Sequence, residues 1–384
     1  QTINLSTGWS LFSTYIYPDY PNISDVLSLI VNDITIVKNE NGGVYWPVYG
    51  INVIGDLTIG KAYIIKMLNS NTLTITGTAA IPEVTPINLQ VGWRYLGYLR
   101  QAPASIVIML SSIDGTFEIV KDDVGNVYWP LYGINVIGNL EPGKGYQIKM
   151  NTTTSLTYPA NTANFSKSSI QILQPKHFKE IQNTGSNMTL GIPKTAWETE
   201  PLIGSEIGIF SDSKNYREGK LVGSSVYTGK NLAISIWGDD GYSQEIDGMI
   251  GKENFTIKIW NGNSVDVVEI ESWLEGDEFY KTNKISIVEK LSIVNYQLSI
   301  IKLFQNAPNP FYQTTKISFY IPEKAFVEIE LFNLIGEKIQ TVDAKNYPAG
   351  NQSIIFDRKN LSSGVYFYKL TSNEFAETKI MNIE

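Results

Sequence analysis

Apolar and polar residues alternate in short runs along the chain, and no long segment carries the 3.6-residue period of an amphipathic helix. ITIVK (34–38), AYIIKM (62–67), FEIVK (117–121), LAISIW (232–237), FTIKIW (255–260) and KISFYIP (316–322) are typical runs. Gly, Asn, Asp and Pro separate them, as turns between strands require. The pattern predicts an all-β protein. Two short helical stretches are expected, Asp25–Val31 capped by Ser24 and Ile106–Leu110 capped by Ser105.

The pattern also repeats. INLSTGW (3–9) returns as INLQVGW (87–93), offset by 84 residues. VYWPVYGINVIGDLTIGKAYIIKM (44–67) returns as VYWPLYGINVIGNLEPGKGYQIKM (127–150), offset by 83. Fixed-period self-similarity marks a duplicated structural unit. Tandem, mostly β modules are therefore expected at 1–82 and 83–160. From 164 to 290, apolar runs 8–12 residues apart predict a β-sandwich: MTLGI, EIGIF, KLVGSSVY, LAISIW, FTIKIW and VDVVEIESW. Residues 302–384 hold six or seven further short strands, the number an immunoglobulin-like sandwich needs. Between these units lies VNYQLSI (294–300), where Val294, Tyr296, Leu298 and Ile300 alternate with polar residues. That is a candidate assembly strand for a neighbour's sheet by β-augmentation. The bland alternative is a last strand of its own sandwich or a first strand of the next unit.

Composition narrows the chemistry. The 384 residues include no Cys and one His, with a net charge of −8. Disulfides, thiolate metal sites, cysteine nucleophiles and multi-histidine metal motifs are excluded. The acidic balance, without a basic patch, argues against nucleic-acid and membrane-surface partners. No apolar run is long enough for a membrane helix. The chain begins at Gln1 rather than Met, which points to a processed chain or a fragment.

Few residues suggest a site. Asp239, Asp240, Glu245 and Asp247 fall within nine residues and form a candidate calcium loop, although their spacing is not that of an EF-hand. A solvated acidic turn is the plainer reading. The repeated aromatics Tyr45, Trp46, Tyr49 and Tyr128, Trp129, Tyr132 are candidates either for stacking on sugar rings or for a seam between modules. Strand alternation sends Tyr45 and Trp46 to opposite faces. Glu269, Glu271 and Trp273 are expected on one strand face, opposite Val268 and Ile270. A carboxylate pair of this kind needs an enclosing cleft to act as a glycosidase, and an outer solvated face is the default. His177 lies in the polar run QPKHFKEIQN with no partner motif.

Residues 302–384 resemble the C-terminal sorting domain of proteins exported by the type IX secretion system of Bacteroidota and their relatives. QNAPNPF (305–311), TTKISFYIP (314–322), LFNLIGEKI (331–339), LSSGVYFYKL (361–370) and a terminal strand with Lys379 carry the resemblance. The chain closes on Glu384, where the family often closes on a basic residue. The resemblance implies an export machinery as partner and a location outside the outer membrane. Residues 164–290 are similar to a β-sandwich module common in such exported proteins, through EIGIF, LVGSSVY, LAISIWGDDG and FTIKIWNG. The N-terminal repeat looks like material found in surface proteins of this class. Together these readings predict a non-enzymatic extracellular or cell-surface protein, structural or adhesive, that self-associates into fibres or a layer. It needs no cofactor beyond the candidate calcium. The alternative is a glycan-binding accessory region of a larger secreted polysaccharide-degrading protein.

Overall fold

The computed structural model describes residues 1–384 except 166, 169, 171, 180, 212–218, 244, 263, 295–300, 323 and 373–374. The described chain is nearly all β. It divides into two compact units, residues 1–293 and 294–384.

In the first unit the repeats build the same sheet twice. Copy 1 orders its strands Gly8–Ser13, Ala62–Met67, Ile34–Lys38, Val44–Trp46 and Ile51–Asn52. Copy 2 uses Gly92–Gly97, Gly145–Met150, Phe117–Lys121, Val127–Trp129 and Ile134–Asn135 in the same order. One face of each sheet packs on its own small core, around Phe12, Val37 and Ile65 in copy 1 and Leu96, Val120 and Ile148 in copy 2. Each helical stretch is a single α turn continued as 3-10 helix, Ile23–Val26 into Ser28–Asp33 and Ile106–Met109 into Ser111–Ile113. Asn22, not Ser24, caps Ile23–Val26, its side chain accepting from Ser24 N. Ser105 precedes Ile106–Met109 but makes no side-chain cap.

The copies differ where YIYPDYPN (15–22) is replaced by GYLRQAPA (97–104). Copy 1 there forms the strand Ile16–Pro18, paired with Gly77–Ala79. Copy 2 instead buries Arg100, which donates to Ala160 O at 3.1 Å and Ala163 O at 2.6 Å and lies over the Phe165 ring. The divergent segment thus ties down the chain that leaves the repeat.

That chain enters a seven-stranded sheet ordered Leu221–Val226, Glu206–Ser211, Phe255–Trp260, Val265–Glu275, Ile285–Val294, Asn187–Ile192 and Leu232–Trp237. Its inward residues, among them Leu190, Ile209, Ile234, Ile257 and Val288, form the largest core. Val294 is the last residue of the strand Ile285–Val294. Tyr296, Leu298 and Ile300 lie outside the described residues.

The second unit packs two sheets. One joins Lys302–Leu303, Thr314–Ile321 and Gly350–Asp357; the other joins Lys338–Tyr347, Ala325–Phe332, Gly364–Ser372 and Phe375–Ile383. Phe319, Ile329, Tyr368 and Met381 fill the space between. The QNAPNPF segment is held by buried polar groups. Asn306 N donates to Tyr368 Oη at 2.8 Å, Tyr368 Oη donates to Phe304 O at 2.8 Å, and Asn306 Nδ2 donates to Thr315 Oγ1 at 2.9 Å. Each buried polar atom there finds a partner, as burial requires.

Candidate functional site

The two repeat copies face each other with reciprocal contacts. Phe12 bridges to Lys144, and the equivalent Leu96 bridges to Lys61. Ser13 N donates to Gly143 O at 3.0 Å, and the equivalent Gly97 N donates to Gly60 O at 2.9 Å. Residue i meets j and j meets i, the mark of a pseudo-twofold, isologous contact. Glu40 seals it, accepting from Tyr95 N at 3.0 Å while pairing with Lys61.

The sheet faces turned away from the two small cores meet the sandwich, at its 239–247 loop and the turn at Gly185 in copy 1 and at its strands in copy 2. In copy 1, Trp9 Nε1 donates to Asp240 Oδ2 at 2.8 Å, and Lys66 Nζ reaches the same oxygen at 2.5 Å. Lys38 lies 4.7 Å from the ring centres of both Trp9 and Tyr242. Burial pushes the Asp240 carboxyl up, but the hydrogen bonds from Lys66 and Trp9 outweigh it and hold the group below its usual range. A Cβ at Gly185 would lie 2.6 Å from the Trp9 ring, so glycine is needed for this approach.

Copy 2 presents the equivalent residues to different partners. Trp93 Nε1 donates to Asn283 O at 3.1 Å, and Lys121 Nζ donates to Asn187 Oδ1 at 2.7 Å. Trp129, 1 % exposed, packs with Ile119, Ile134, Ile285 and Ile287. A Cβ at Gly191 would lie 3.1 Å from its ring. Asn231 Nδ2 closes the edge by donating to Tyr132 O at 2.8 Å.

The same hairpin is therefore covered in copy 2 and open in copy 1. Ile134 is 6 % exposed and its counterpart Ile51 is 39 % exposed. Tyr49 and Val53 are 65 % and 68 % exposed, whereas Tyr132 and Val136 are half-buried against the sandwich. Tyr45 points into the copy 1 core, and Trp46 lies on the other face, edge-on to Tyr49 at 4.8 Å. Tyr128 packs toward the copy 2 core and Trp129 away from it. The alternation read from sequence holds at these positions.

The acidic loop is held together by its own hydrogen bonds. Asp240 Oδ1 accepts from Tyr242 N at 2.7 Å, Asp239 Oδ1 accepts from Asp247 N at 3.1 Å, and Asp247 Oδ2 accepts from Ser243 Oγ at 3.3 Å. Glu245 is exposed. Among the described residues no group of three or more acidic or His side chains is arranged to hold a metal ion.

Glu269 and Glu271 are exposed, and Glu271 pairs with Lys290 at 2.6 Å. Trp273 departs from the expected face. It packs on the sandwich core, edge-on to Phe255 at 6.4 Å, so strict alternation is not kept along this eleven-residue strand. His177 stacks flat on Trp260 with 4.8 Å between ring centres. Beside it, buried Glu206 accepts from the backbone amides of Lys176, His177 and Phe178 at 2.8, 2.8 and 2.9 Å. Sequence reasoning passes over Glu206 and the Lys121–Asn187 pair, because neither sits in a motif and only the tertiary fold brings the partners together.

Residues 307–384 match the family described as "Secretion system C-terminal sorting domain". The chain carries a type IX sorting domain. This domain, about a fifth of the chain, marks the protein for export to the cell surface or the extracellular space. No helix among the described residues is long and apolar enough to cross a membrane. Comparison with curated protein sequences gives no match. Two solved structures are similar at low overlap. Dimeric latent PorU from Porphyromonas gingivalis is 10 % identical with a TM-score of 0.20, over 82 % of this chain and 31 % of that one. A tetra-tandem repeat from the extending region of a large adhesion protein is 10 % identical with a TM-score of 0.17, over 97 % of this chain and 93 % of that one.

Proposed function

We propose that this exported protein is a non-enzymatic structural or adhesive component of the cell exterior, and that it self-associates through the open hairpin of repeat copy 1. The observation that carries this reading is the contrast between two nearly identical hairpins. In copy 2 the hairpin buries Trp129, Ile134 and part of Tyr132 and Val136 against a sheet. In copy 1 Trp46 packs on Tyr242, but the counterparts Tyr49, Ile51 and Val53 are left exposed, at 65 %, 39 % and 68 %. An apolar patch built like a buried seam marks an interaction surface. A second copy of this chain fits the patch, because the module already meets its own duplicate in an isologous contact. Groups capable of acid–base chemistry are engaged structurally: Asp240 by Lys66 and Trp9, Glu206 by three amides, Glu271 by Lys290. Sedimentation of the purified chain, with and without Tyr49→Ser and Val53→Ser, tests the assignment.

A glycan-binding reading rests on a separate feature. A cavity of about 780 Å³ lies between the copy 2 hairpin and the sandwich, its wall combining apolar residues such as Val136 and Ile172 with Asn135, Ser225, Thr228 and Asn231. Uncharged amides and hydroxyls of this kind suit hydroxyl-rich ligands. A glycan array on wild type and Ser225→Trp, which fills the cavity, separates this reading from self-association.

A further inference from the structure

Lys121 is a costly residue for its position. It ends the copy 2 strand Phe117–Lys121, is 1 % exposed, and lies under the Trp93 ring at 4.6 Å. Its ammonium has no acidic partner among the ion pairs of the described residues. Its hydrogen bond runs to a neutral amide, Asn187 Oδ1, at 2.7 Å. Asn187 opens the sandwich strand Asn187–Ile192 and is itself 7 % exposed. The pair thus joins two modules across 66 residues of sequence. The copy 1 counterpart, Lys38, is placed differently, over Trp9 and Tyr242.

We propose that Lys121 and Asn187 form an intramolecular isopeptide bond that fixes repeat copy 2 to the sandwich. The neutral amine is the nucleophile. Burial favours it, lowering the lysine from its usual value to about 7 with no carboxylate to offset the effect. The Nζ lone pair attacks Asn187 Cγ, and the new C–N bond forms. The bond from Cγ to the original amide nitrogen breaks. One amine proton passes to the departing nitrogen, which leaves as ammonia, so no oxidant or cofactor is required. In a chain with no Cys, this linkage does what a disulfide does elsewhere.

The test is peptide mapping of the purified full chain by mass spectrometry. The expected result is a branched peptide joining the segments around 121 and 187, lighter than the sum of its parts by about 17 Da, the mass of ammonia. Trypsin then fails to cut after Lys121. Intact mass alone does not identify the linkage, since cyclisation of an N-terminal glutamine also loses ammonia. Lys121→Arg and Asn187→Ala each abolish the branched peptide. A wild-type digest in which Lys121 ends an ordinary tryptic peptide and Asn187 is unmodified overturns the proposal, and it does so without relying on either variant to fold.

Discussion

Ala62 and Gly145 occupy equivalent positions in the two repeat copies and face each other across the pseudo-twofold contact. A Cβ built at Gly145 would lie 2.5 Å from the Ala62 Cβ. Only one of the two positions has room for a methyl group, and the duplicated sequences have diverged accordingly, AYIIKM against GYQIKM.

Gly145→Ala is expected to destabilise the first unit by about 1–3 kcal/mol through overpacking. Adding Ala62→Gly moves the methyl to the other side of the contact and restores much of the loss. Urea unfolding of the wild type, the single variant and the double variant measures both effects. Additive losses in the double variant would show that the two residues do not share this space.

The two hairpins should respond unequally to the same change. Trp129→Ala empties a buried site between copy 2 and the sandwich, with an expected cost of about 3–5 kcal/mol. Trp46 is half-buried, and Trp46→Ala should cost clearly less. Equal losses by denaturant titration would contradict the asymmetry between the copies.

Acid should loosen the first unit at two carboxylates. Burial raises Glu206, but hydrogen bonds from the amides of Lys176, Phe178 and His177 overcome it, and its folded-state value is lowered. Asp240 is lowered in the same sense. Groups with depressed folded values contribute stability that is full above their unfolded values, about 4. That contribution is lost as pH falls through the folded values. Unfolding of wild type should therefore grow easier below about pH 4. Glu206→Gln should be less stable at neutral pH and show a shallower acid dependence. An unchanged slope below pH 4 would remove Glu206 from the explanation.

Deleting 302–384 should leave the truncated chain folded but inside the cell envelope, because the sorting domain is a compact unit with its own core. Fractionation and surface proteolysis follow the location. Normal surface display of the truncated chain would contradict the role of this domain.

Much of the architecture is legible in the sequence because it depends on local pattern. Alternation at FTIKIW and LAISIW marks strands, and the repeated VYWP hairpin marks the duplication. What joins the modules is not legible. Asp240 reads as one of four acidic loop residues, and only the fold shows that Trp9 and Lys66, more than 170 residues earlier, occupy its carboxylate. Trp46 and Trp129 have the same local sequence, yet one is half-buried and the other buried, since only copy 2 meets Gly191 and Ile287. Trp273 shows the converse limit: period-two alternation placed it with Glu271, and packing against Phe255 took it to the core.

Sedimentation velocity of the full chain over a concentration series tests the central claim most directly. The account expects wild type to shift to larger species as concentration rises, and the Tyr49→Ser, Val53→Ser double variant to remain monomeric with unchanged thermal stability. A wild type that stays monomeric across the series, or a double variant that associates as strongly as wild type, would contradict the assignment of the copy 1 hairpin as the contact surface.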